Sequence, residues 1–336
     1  MYAVRITDGP EYRCAGDDTL LRAALRAGLG VPYECNTGSC GTCKVELVSG
    51  EVTCLRPDPP GLGERDRARK RILACQSRPA TDCAIKVRLR GEYAPAHRPA
   101  RFTARLERHR DLTHDLREFR FSVREAPGFL AGQYALFYLP GLESPRTYSM
   151  SNVDDGSREW QFVVKRVPGG AGTRALFERV PIGGEITLDG PYGLAYLRTD
   201  SPRDIVCIGG GSGLAPVLSV ARGAVREPAL RDRRIRVFYG ARTSRDLCGE
   251  RELGELPGYG TRVSFQPVLS MPEADPEGAW RGPTGLVHEH VRQALGDRLS
   301  DFEYYFAGPP PMTEAVQQML AANAVPHTQM HYDSFY

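Results

Sequence analysis

Hydrophobic and polar positions follow three different patterns along the chain. Near the N-terminus, short alternating runs at 4–6 and 85–89 indicate half-buried strands, and apolar residues at 20–25 recur at helical spacing. From 102 to about 200, aromatic and branched runs broken by Gly and Pro are typical of a small antiparallel barrel. Beyond 201, four apolar strand-like runs alternate with helical stretches, which indicates a doubly wound parallel sheet.

These patterns predict a multidomain protein of the α+β and α/β classes. We expect a first domain at 1–93, a linker with two prolines at 94–101, a barrel domain at 102–200 and a parallel-sheet domain at 201–336. The length of 336 residues agrees, because a single core stops growing near roughly 250–300 residues.

Charge and apolar content exclude several functional classes. The 44 basic and 41 acidic residues leave a net charge of +3, too little to suggest nucleic-acid binding. No apolar run reaches the roughly 18 residues of a membrane span, and the N-terminus lacks a signal-peptide pattern. We therefore expect a cytoplasmic protein that binds no membrane.

Seven of the nine cysteines lie between Cys14 and Cys83. Cys35, Cys40 and Cys43 have the x4 and x2 spacing of a plant-type [2Fe–2S] site, and Cys75 supplies a distant fourth thiolate. Such a cluster needs four soft anionic ligands. The alternatives are a zinc site or inert buried cysteines, and spacing alone leaves Cys54 and Cys83 open as ligands.

A second chemical motif is Arg146-Thr-Tyr148-Ser149. A guanidinium suits a pyrophosphate, an aromatic ring can stack on a flavin, and a serine hydroxyl can hydrogen-bond flavin N5. Residues of these types suit an FAD site in which Tyr148 and Ser149 lie at the reacting ring, as the family resemblance given below implies. Its alternative is an edge strand with a surface arginine.

A glycine-rich turn opens the third part. Gly209, Gly210, Gly211, Ser212 and Gly213 follow a strand and precede a helix, where a pyrophosphate can approach backbone N–H groups. The turn departs from G-x-G-x-x-G because position 214 is Leu. Its alternative is a plain structural turn.

Two further strand ends are predicted to converge on the same sheet edge. One carries Tyr239, Gly240 and Arg242, and the other carries Gly308 and Pro309. The single Arg245 beside Asp246 favours NADH over NADPH, because a 2′-phosphate needs a basic cluster.

Residues 32–43, together with 72–76, resemble the ferredoxin domain of NADH-dependent oxygenase reductases, and residues 146–149 resemble the FAD motif of the ferredoxin-reductase flavoprotein family. The resemblance implies a plant-type β-grasp ferredoxin domain, an antiparallel β-barrel FAD domain and a parallel-sheet NAD domain. It implies that Tyr336 covers the flavin face and that Ala307 replaces a family cysteine. The further FAD-binding residues that it implies are Val163, Lys165, Gly170, Gly172 and Thr173.

The whole order is similar to the reductase components of soluble di-iron monooxygenases, especially the toluene/alkene type. That similarity implies a monomeric chain that moves electrons from NADH through FAD and [2Fe–2S] to an oxygenase component or a Rieske-type ferredoxin, in support of hydrocarbon oxidation. Reductases that serve dioxygenases or deoxysugar synthesis share this architecture and are the main alternative. A redox sensor or zinc-binding regulator is the non-enzymatic one. The charge run at 65–71 is either a solvated helix face or a docking site for an acidic partner.

Overall fold

The N-terminal part is a five-stranded mixed sheet in the computed structural model, which describes residues 1–274 and 280–335. The elements are β1 (Tyr2–Ile6), β2 (Glu11–Cys14), α1 (Leu20–Arg26), β3 (Lys44–Ser49), β4 (Val52–Cys54), α2 (Glu64–Ala68), β5 (Arg71–Leu73), β6 (Ser77–Pro79) and β7 (Cys83–Lys86). The strand order of the sheet is β2-β1-β7-β3-β5, with β1 and β7 parallel and the other pairs antiparallel. β4 and β6 form a separate antiparallel pair.

Helix α1 forms where the apolar spacing predicts it. Thr19 caps its N-terminus, because the Thr19 side chain accepts a hydrogen bond from the backbone N–H of Arg22. Leu21 and Leu25 are fully buried in the core of this sheet. Arg22 is also buried, at 1% exposure, and the apolar pattern did not predict a buried charge on this helix.

The middle part is a six-stranded antiparallel barrel. Its elements are β8 (Ala100–Asp111), β9 (Leu116–Val123), β10 (Tyr134–Tyr138), β11 (Arg146–Ser149), β12 (Glu159–Lys165), α3 (Ala171–Arg179) and β13 (Glu185–Tyr192). The strand order is β11-β10-β13-β8-β9-β12, and a bridge between Met150 and Phe162 closes the barrel. Aromatic rings fill the interior, with Phe137 edge-on to Phe162 at a 4.7 Å centroid distance. The predicted barrel is therefore confirmed.

The C-terminal part is a five-stranded parallel sheet with helices on both faces. The elements are β14 (Asp204–Gly210), α4 (Leu214–Arg226), β15 (Ile235–Ala241), α5 (Glu250–Gly254), β16 (Val263–Leu269), α6 (Val287–Leu295), β17 (Phe302–Gly308), α7 (Pro310–Ala322) and β18 (Met330–Ser334). The strand order is β16-β15-β14-β17-β18. Apolar clusters on the two faces bury α4 and α5 on one side and α6 and α7 on the other, which confirms the doubly wound fold. Strand β18 was not predicted.

A fully buried carboxylate, that of Asp189 on β13, lies at the contact between the N-terminal sheet and the barrel. The guanidinium of Arg26 donates to both oxygens of Asp189, at 2.9 and 2.7 Å. Arg101 donates to Asp189 at 3.4 Å and also bonds Asp18, beside α1. Strand β8 begins at Ala100, inside the range 94–101 expected as a linker, so the connection passes directly into the barrel.

Shorter polar contacts join the barrel to the parallel sheet. The hydroxyl of Ser219 on α4 donates to the carbonyl of Asn152 at 2.6 Å and accepts the N–H of Gly132 at 2.9 Å. Arg222 donates to the carbonyl of Ser151 at 2.8 Å. Helix α4 therefore packs on the parallel sheet and also hydrogen-bonds to the barrel.

Two further properties of the described residues concern disulfide bonds and membrane-spanning helices. All nine cysteines are free of disulfide bonds. In the ranges 1–274 and 280–335, no helix combines the length and apolar character needed to cross a bilayer.

We expect the change Asp189→Asn to lower the free energy of unfolding by about 2 kcal/mol, because it removes the charged two-bond pair with Arg26 and leaves Asp18 as the remaining carboxylate partner of that guanidinium. The measurement is the shift of the urea unfolding midpoint. Asp17→Asn is the control, since Asp17 pairs with Arg101 but is 71% exposed and should contribute less than about 1 kcal/mol. Equal effects of the two changes would contradict this account of the interface.

Candidate functional site

The loop between α1 and β3 carries three of the predicted cluster ligands. The sulfur of Cys35 accepts the backbone N–H groups of Thr37 and Cys40, both at 3.4 Å. Gly38 and Gly41 have φ of +86° and +78°, and a Cβ at Gly41 would lie 2.7 Å from the carbonyl oxygen of Gly61. Only glycine fits these positions, so the loop can wind tightly around its cysteines.

Cys75 completes the set from the segment after β5. The N–H of Ala74 donates to the carbonyl of Cys43 at 3.0 Å, which fixes the two segments side by side. The side chain of Gln76 donates to the Cys75 sulfur at 3.6 Å. The four predicted ligands therefore meet as two thiol pairs, Cys35 with Cys40 and Cys43 with Cys75.

The protonation of these thiols follows the pairing. Hydrogen bonds from Cys40 and Thr37 lower the pKa of Cys35 to about 4, and a hydrogen bond from Cys43 lowers the pKa of Cys75. The pKa values of the two partner thiols are raised, because each donates to its neighbour and is buried. In each pair, the thiol that accepts the hydrogen bond is therefore the one whose thiolate form is favoured.

The remaining N-terminal cysteines bond elsewhere. Cys54 is exposed and donates to the carbonyl of Arg56 at 2.8 Å. Cys83 donates to the carbonyl of Thr81 at 3.2 Å, and Cys14 donates to its own segment at Ala15. The donor set of four soft ligands around a tight loop fits a [2Fe–2S] cluster held by Cys35, Cys40, Cys43 and Cys75.

The predicted flavin motif forms β11, at the end of the strand order beside β10. The Tyr148 ring packs edge-on against Phe137 at 4.8 Å, and burial raises the pKa of its hydroxyl to about 12. Ser149 is 5% exposed and lies opposite Tyr134 in the strand pairing. Among residues 1–274 and 280–335, the Ser149 hydroxyl makes no hydrogen bond, so it is available to a ligand.

The predicted phosphate-binding residues converge on the N-terminus of α3. A Cβ at Gly172 would lie 2.8 Å from Cγ of Arg146, so glycine is what allows the arginine to cross the first helical turn. The hydroxyl of Thr173 accepts the N–H of Val167 at 3.2 Å and donates to the carbonyl of Gly170 at 3.2 Å. A guanidinium beside free helical N–H groups fits a pyrophosphate.

Two residues that the resemblance assigned to the flavin site lie on β12. Val163 is buried against Leu116 and Ala215. The Lys165 ammonium pairs with Asp115 at 2.6 Å, and its side chain lies near Gly211. Both therefore face the contact between the barrel and the glycine-rich turn.

The three predicted nucleotide segments meet at one edge of the parallel sheet. Gly209 is paired with Tyr239 on one side and with Ala307 on the other, and Gly210 is paired with Gly240. A Cβ at Gly213 would lie 2.0 Å from the Ala307 carbonyl oxygen. The turn 211–213 therefore needs glycine to pass under the end of β17.

The other residues predicted near the nucleotide follow these strands. The Tyr239 hydroxyl donates to the carbonyl of Gly211 at 3.0 Å, and Ser212 lies in the same turn. Arg242 is exposed directly after β15. Pro309 caps α7, and Gly308 accepts the N–H of Phe335 at 3.0 Å. Tyr336, expected to cover the flavin face, lies outside the described residues.

A junction that the sequence did not predict joins the three parts. The Tyr134 hydroxyl on β10 donates to the carbonyl of Glu34 at 2.6 Å, and the Tyr33 hydroxyl accepts the N–H of Gly193 at 3.0 Å. Asp333 on β18 lies near Glu34 and Cys35. Burial and these two neighbours raise the pKa of the Asp333 carboxyl to about 7. No local sequence pattern predicts the role of these residues, because each contact joins two separate domains.

Comparison with known proteins defines the class. Profiles match for a 2Fe-2S iron-sulfur cluster binding domain at 6–80, an oxidoreductase FAD-binding domain at 103–196 and an oxidoreductase NAD-binding domain at 207–318. The chain is therefore an electron-transferring oxidoreductase that uses [2Fe–2S], FAD and a nicotinamide nucleotide. It belongs to the ferredoxin–NAD(P)(+) reductase family, which confirms the resemblance seen in the sequence.

Individual relatives match over nearly the whole chain. Ferredoxin–NAD(P)(+) reductase CarAd of Metapseudomonas resinovorans is 38% identical over 100% of both proteins. The ferredoxin–NAD(+) reductase component of an alkene monooxygenase system of Xanthobacter autotrophicus is also 38% identical, over 99% of this chain and 100% of the relative. The structure of a ferredoxin reductase in carbazole 1,9a-dioxygenase superposes with a TM-score of 0.92 at 36% identity, over 100% of this chain and 98% of that one.

The change Gly172→Ala should weaken FAD binding roughly tenfold, because the new methyl group meets the Arg146 side chain in the pyrophosphate site. The measurement is the FAD-to-protein ratio and the Kd after reconstitution. Gly254→Ala is the matched control, since Gly254 is also helical and has open space around it. Unchanged flavin affinity in Gly172→Ala would contradict the placement of the phosphate site.

Proposed function

We propose that this chain takes electron pairs from NADH and delivers single electrons to an oxygenase component or to its ferredoxin. When bound, FAD accepts a hydride and [2Fe–2S] passes one electron at a time. The residues of this chain hold the two groups, keep them close together and expose one side to a partner.

One observation carries the proposal. Ser149, at the predicted flavin site, is the strand partner of Tyr134, and the Tyr134 hydroxyl bonds the residue immediately before Cys35. The flavin motif and the first cluster ligand are thus linked through one cross-strand pair and one hydrogen bond. This short connection is what a two-electron to one-electron relay requires.

The charges near the nucleotide edge support NADH as the donor. Thr243 and Asp246 close the turn after β15, where the Asp246 carboxylate accepts the N–H and hydroxyl of Thr243. Asp246 lies beside Asp115 and His114. Asp246 offsets one of the two exposed arginines of this turn, Arg242 and Arg245, so the turn offers no basic cluster for the 2′-phosphate of NADPH.

The change Cys40→Ser should separate the two halves of the reaction. NADH oxidation with a small quinone acceptor, which reacts at the flavin, should be retained, whereas reduction of a ferredoxin or cytochrome should fall to background. Cys54→Ser is the control, because the exposed Cys54 bonds only its own segment. Survival of both activities in Cys40→Ser would show that the cluster assignment or its place in the relay is wrong.

We also propose that the protein acceptor is acidic and docks at residues 56–71, here called the basic segment. It holds six basic and three acidic residues, a net +3 that equals the charge of the whole chain. Arg65, Arg69 and Lys70 are exposed and form no ion pair with any residue in the described ranges. The N–H of Gly61 donates to the carbonyl of Gly38 at 2.9 Å, so the segment borders the cluster loop.

Reversing two charges of the basic segment, as Arg65→Glu with Arg69→Glu, should slow reduction of an acidic ferredoxin roughly tenfold at low salt and less at high salt. Arg231→Glu with Arg292→Glu, on the exposed surface of the parallel-sheet domain, is the matched control. Quinone reduction should not change in either variant. Equal ferredoxin rates in the two double variants would exclude this docking site and leave the relay itself intact.

The partner's hydrocarbon chemistry is a further proposal. One relative serves an alkene monooxygenase system, so we infer a hydrocarbon oxygenase system as the destination of the electrons; a dioxygenase of a nitrogen heterocycle, as in the carbazole structure, is the alternative. The disulfide-free cysteines support a reducing, cytoplasmic setting.

A further inference from the structure

Helix α1 buries a cation that no carboxylate neutralises. The Arg22 side chain donates from Nε to Oδ1 of Asn36 at 3.1 Å and from Nη2 to the Asn36 carbonyl at 3.5 Å. Its Nη1 donates to the Tyr138 hydroxyl at 3.4 Å. These partners are neutral, and no acidic side chain in residues 1–274 or 280–335 lies within ion-pair distance of Arg22.

The neighbouring carboxylate, that of Asp189, is already paired with two other arginines. Asp189 is reached from Arg22 only through the Tyr138 hydroxyl, and its oxygens accept from Arg26 and Arg101. A buried charge without a counter-charge is strongly unfavourable. The functional protein therefore needs an anion beside Arg22.

The two ligand-bearing segments both touch α1 at this point. The N–H of Leu21 donates to the carbonyl of Ala74, which precedes Cys75, at 3.0 Å. Arg22 holds Asn36, which follows Cys35 and has φ of +56°. Two ferric ions, two sulfides and four thiolates sum to a charge of about −2, which becomes about −3 on reduction.

We propose that Arg22 is the counter-charge and a positioning residue of the [2Fe–2S] centre. Its guanidinium fixes Asn36, and hence Cys35, and its positive charge favours the more negative, reduced state of the cluster. The proposal rests on the cluster assigned in the proposed function. It adds that one buried residue outside the ligand loop sets how readily the cluster accepts an electron.

The test is a redox titration of the full-length, cluster-loaded protein, followed by the cluster's EPR signal. Arg22→Gln keeps a hydrogen-bond donor for Asn36 but removes the charge, whereas Arg22→Lys keeps the charge. We expect the Gln variant to make cluster reduction tenfold less favourable, a midpoint about 59 mV lower for one electron. Arg22→Lys should change it less than threefold. Arg13→Gln removes an exposed charge from β2 of the same domain and should also change it less than threefold.

The iron and acid-labile sulfide content of each variant makes every outcome decisive. A Gln variant that loads no cluster beside a Lys variant that does would support the need for charge. A loaded Gln variant with an unchanged midpoint, a Lys variant whose midpoint falls as far as that of the Gln variant, or equal loss of cluster from both variants would overturn Arg22 as the counter-charge of the cluster. Wild-type protein without a cluster signal would overturn the proposed function as well, so the two failures are distinguishable.

Discussion

The relation between the N-terminal sheet and the barrel depends on the burial of the Asp189 carboxylate. Arg26 reaches this group from the ferredoxin domain, Arg101 reaches it from β8 of the barrel, and Tyr192 donates to it at 2.8 Å. Separation of the two domains would expose charges that now neutralise one another inside the protein. The docked arrangement therefore follows from electrostatics as much as from apolar packing.

The contact between these two domains sets the relative positions of the predicted flavin and cluster residues. Because Arg26 is bound to Asp189, the loop after α1 lies against β10, and the Tyr134 hydroxyl can donate to the carbonyl of Glu34. The flavin motif on β11 is one strand away. Hence the same interface that stabilises the chain also brings the predicted flavin and cluster residues together.

Small residues matter where backbones approach closely. Gly213 passes under Ala307, and Gly172 makes room for Arg146. Gly213 explains why the third domain can depart from G-x-G-x-x-G and still form its glycine-rich turn, because the requirement there is clearance beneath Ala307. Gly172 meets the same kind of requirement in the barrel domain, on α3. Leu214 begins α4 and is fully buried, so a large side chain at that position serves the core.

The sequence by itself determined the order of three domains, the R-x-Y-S strand and the glycine-rich turn, and it predicted the four cysteine ligands, because each depends on local periodicity or on spacing within a short segment. Only the tertiary structure decided that Arg22 is buried without an acid, that Asp189 joins two domains and that Tyr134 bonds the cluster loop. Those contacts join residues that are remote in the chain. Strand β18 also went unrecognised, since its pairing with β17 depends on an already formed sheet edge. Burial, pairing and counter-charge are properties of the packed chain, and a one-dimensional pattern does not contain them.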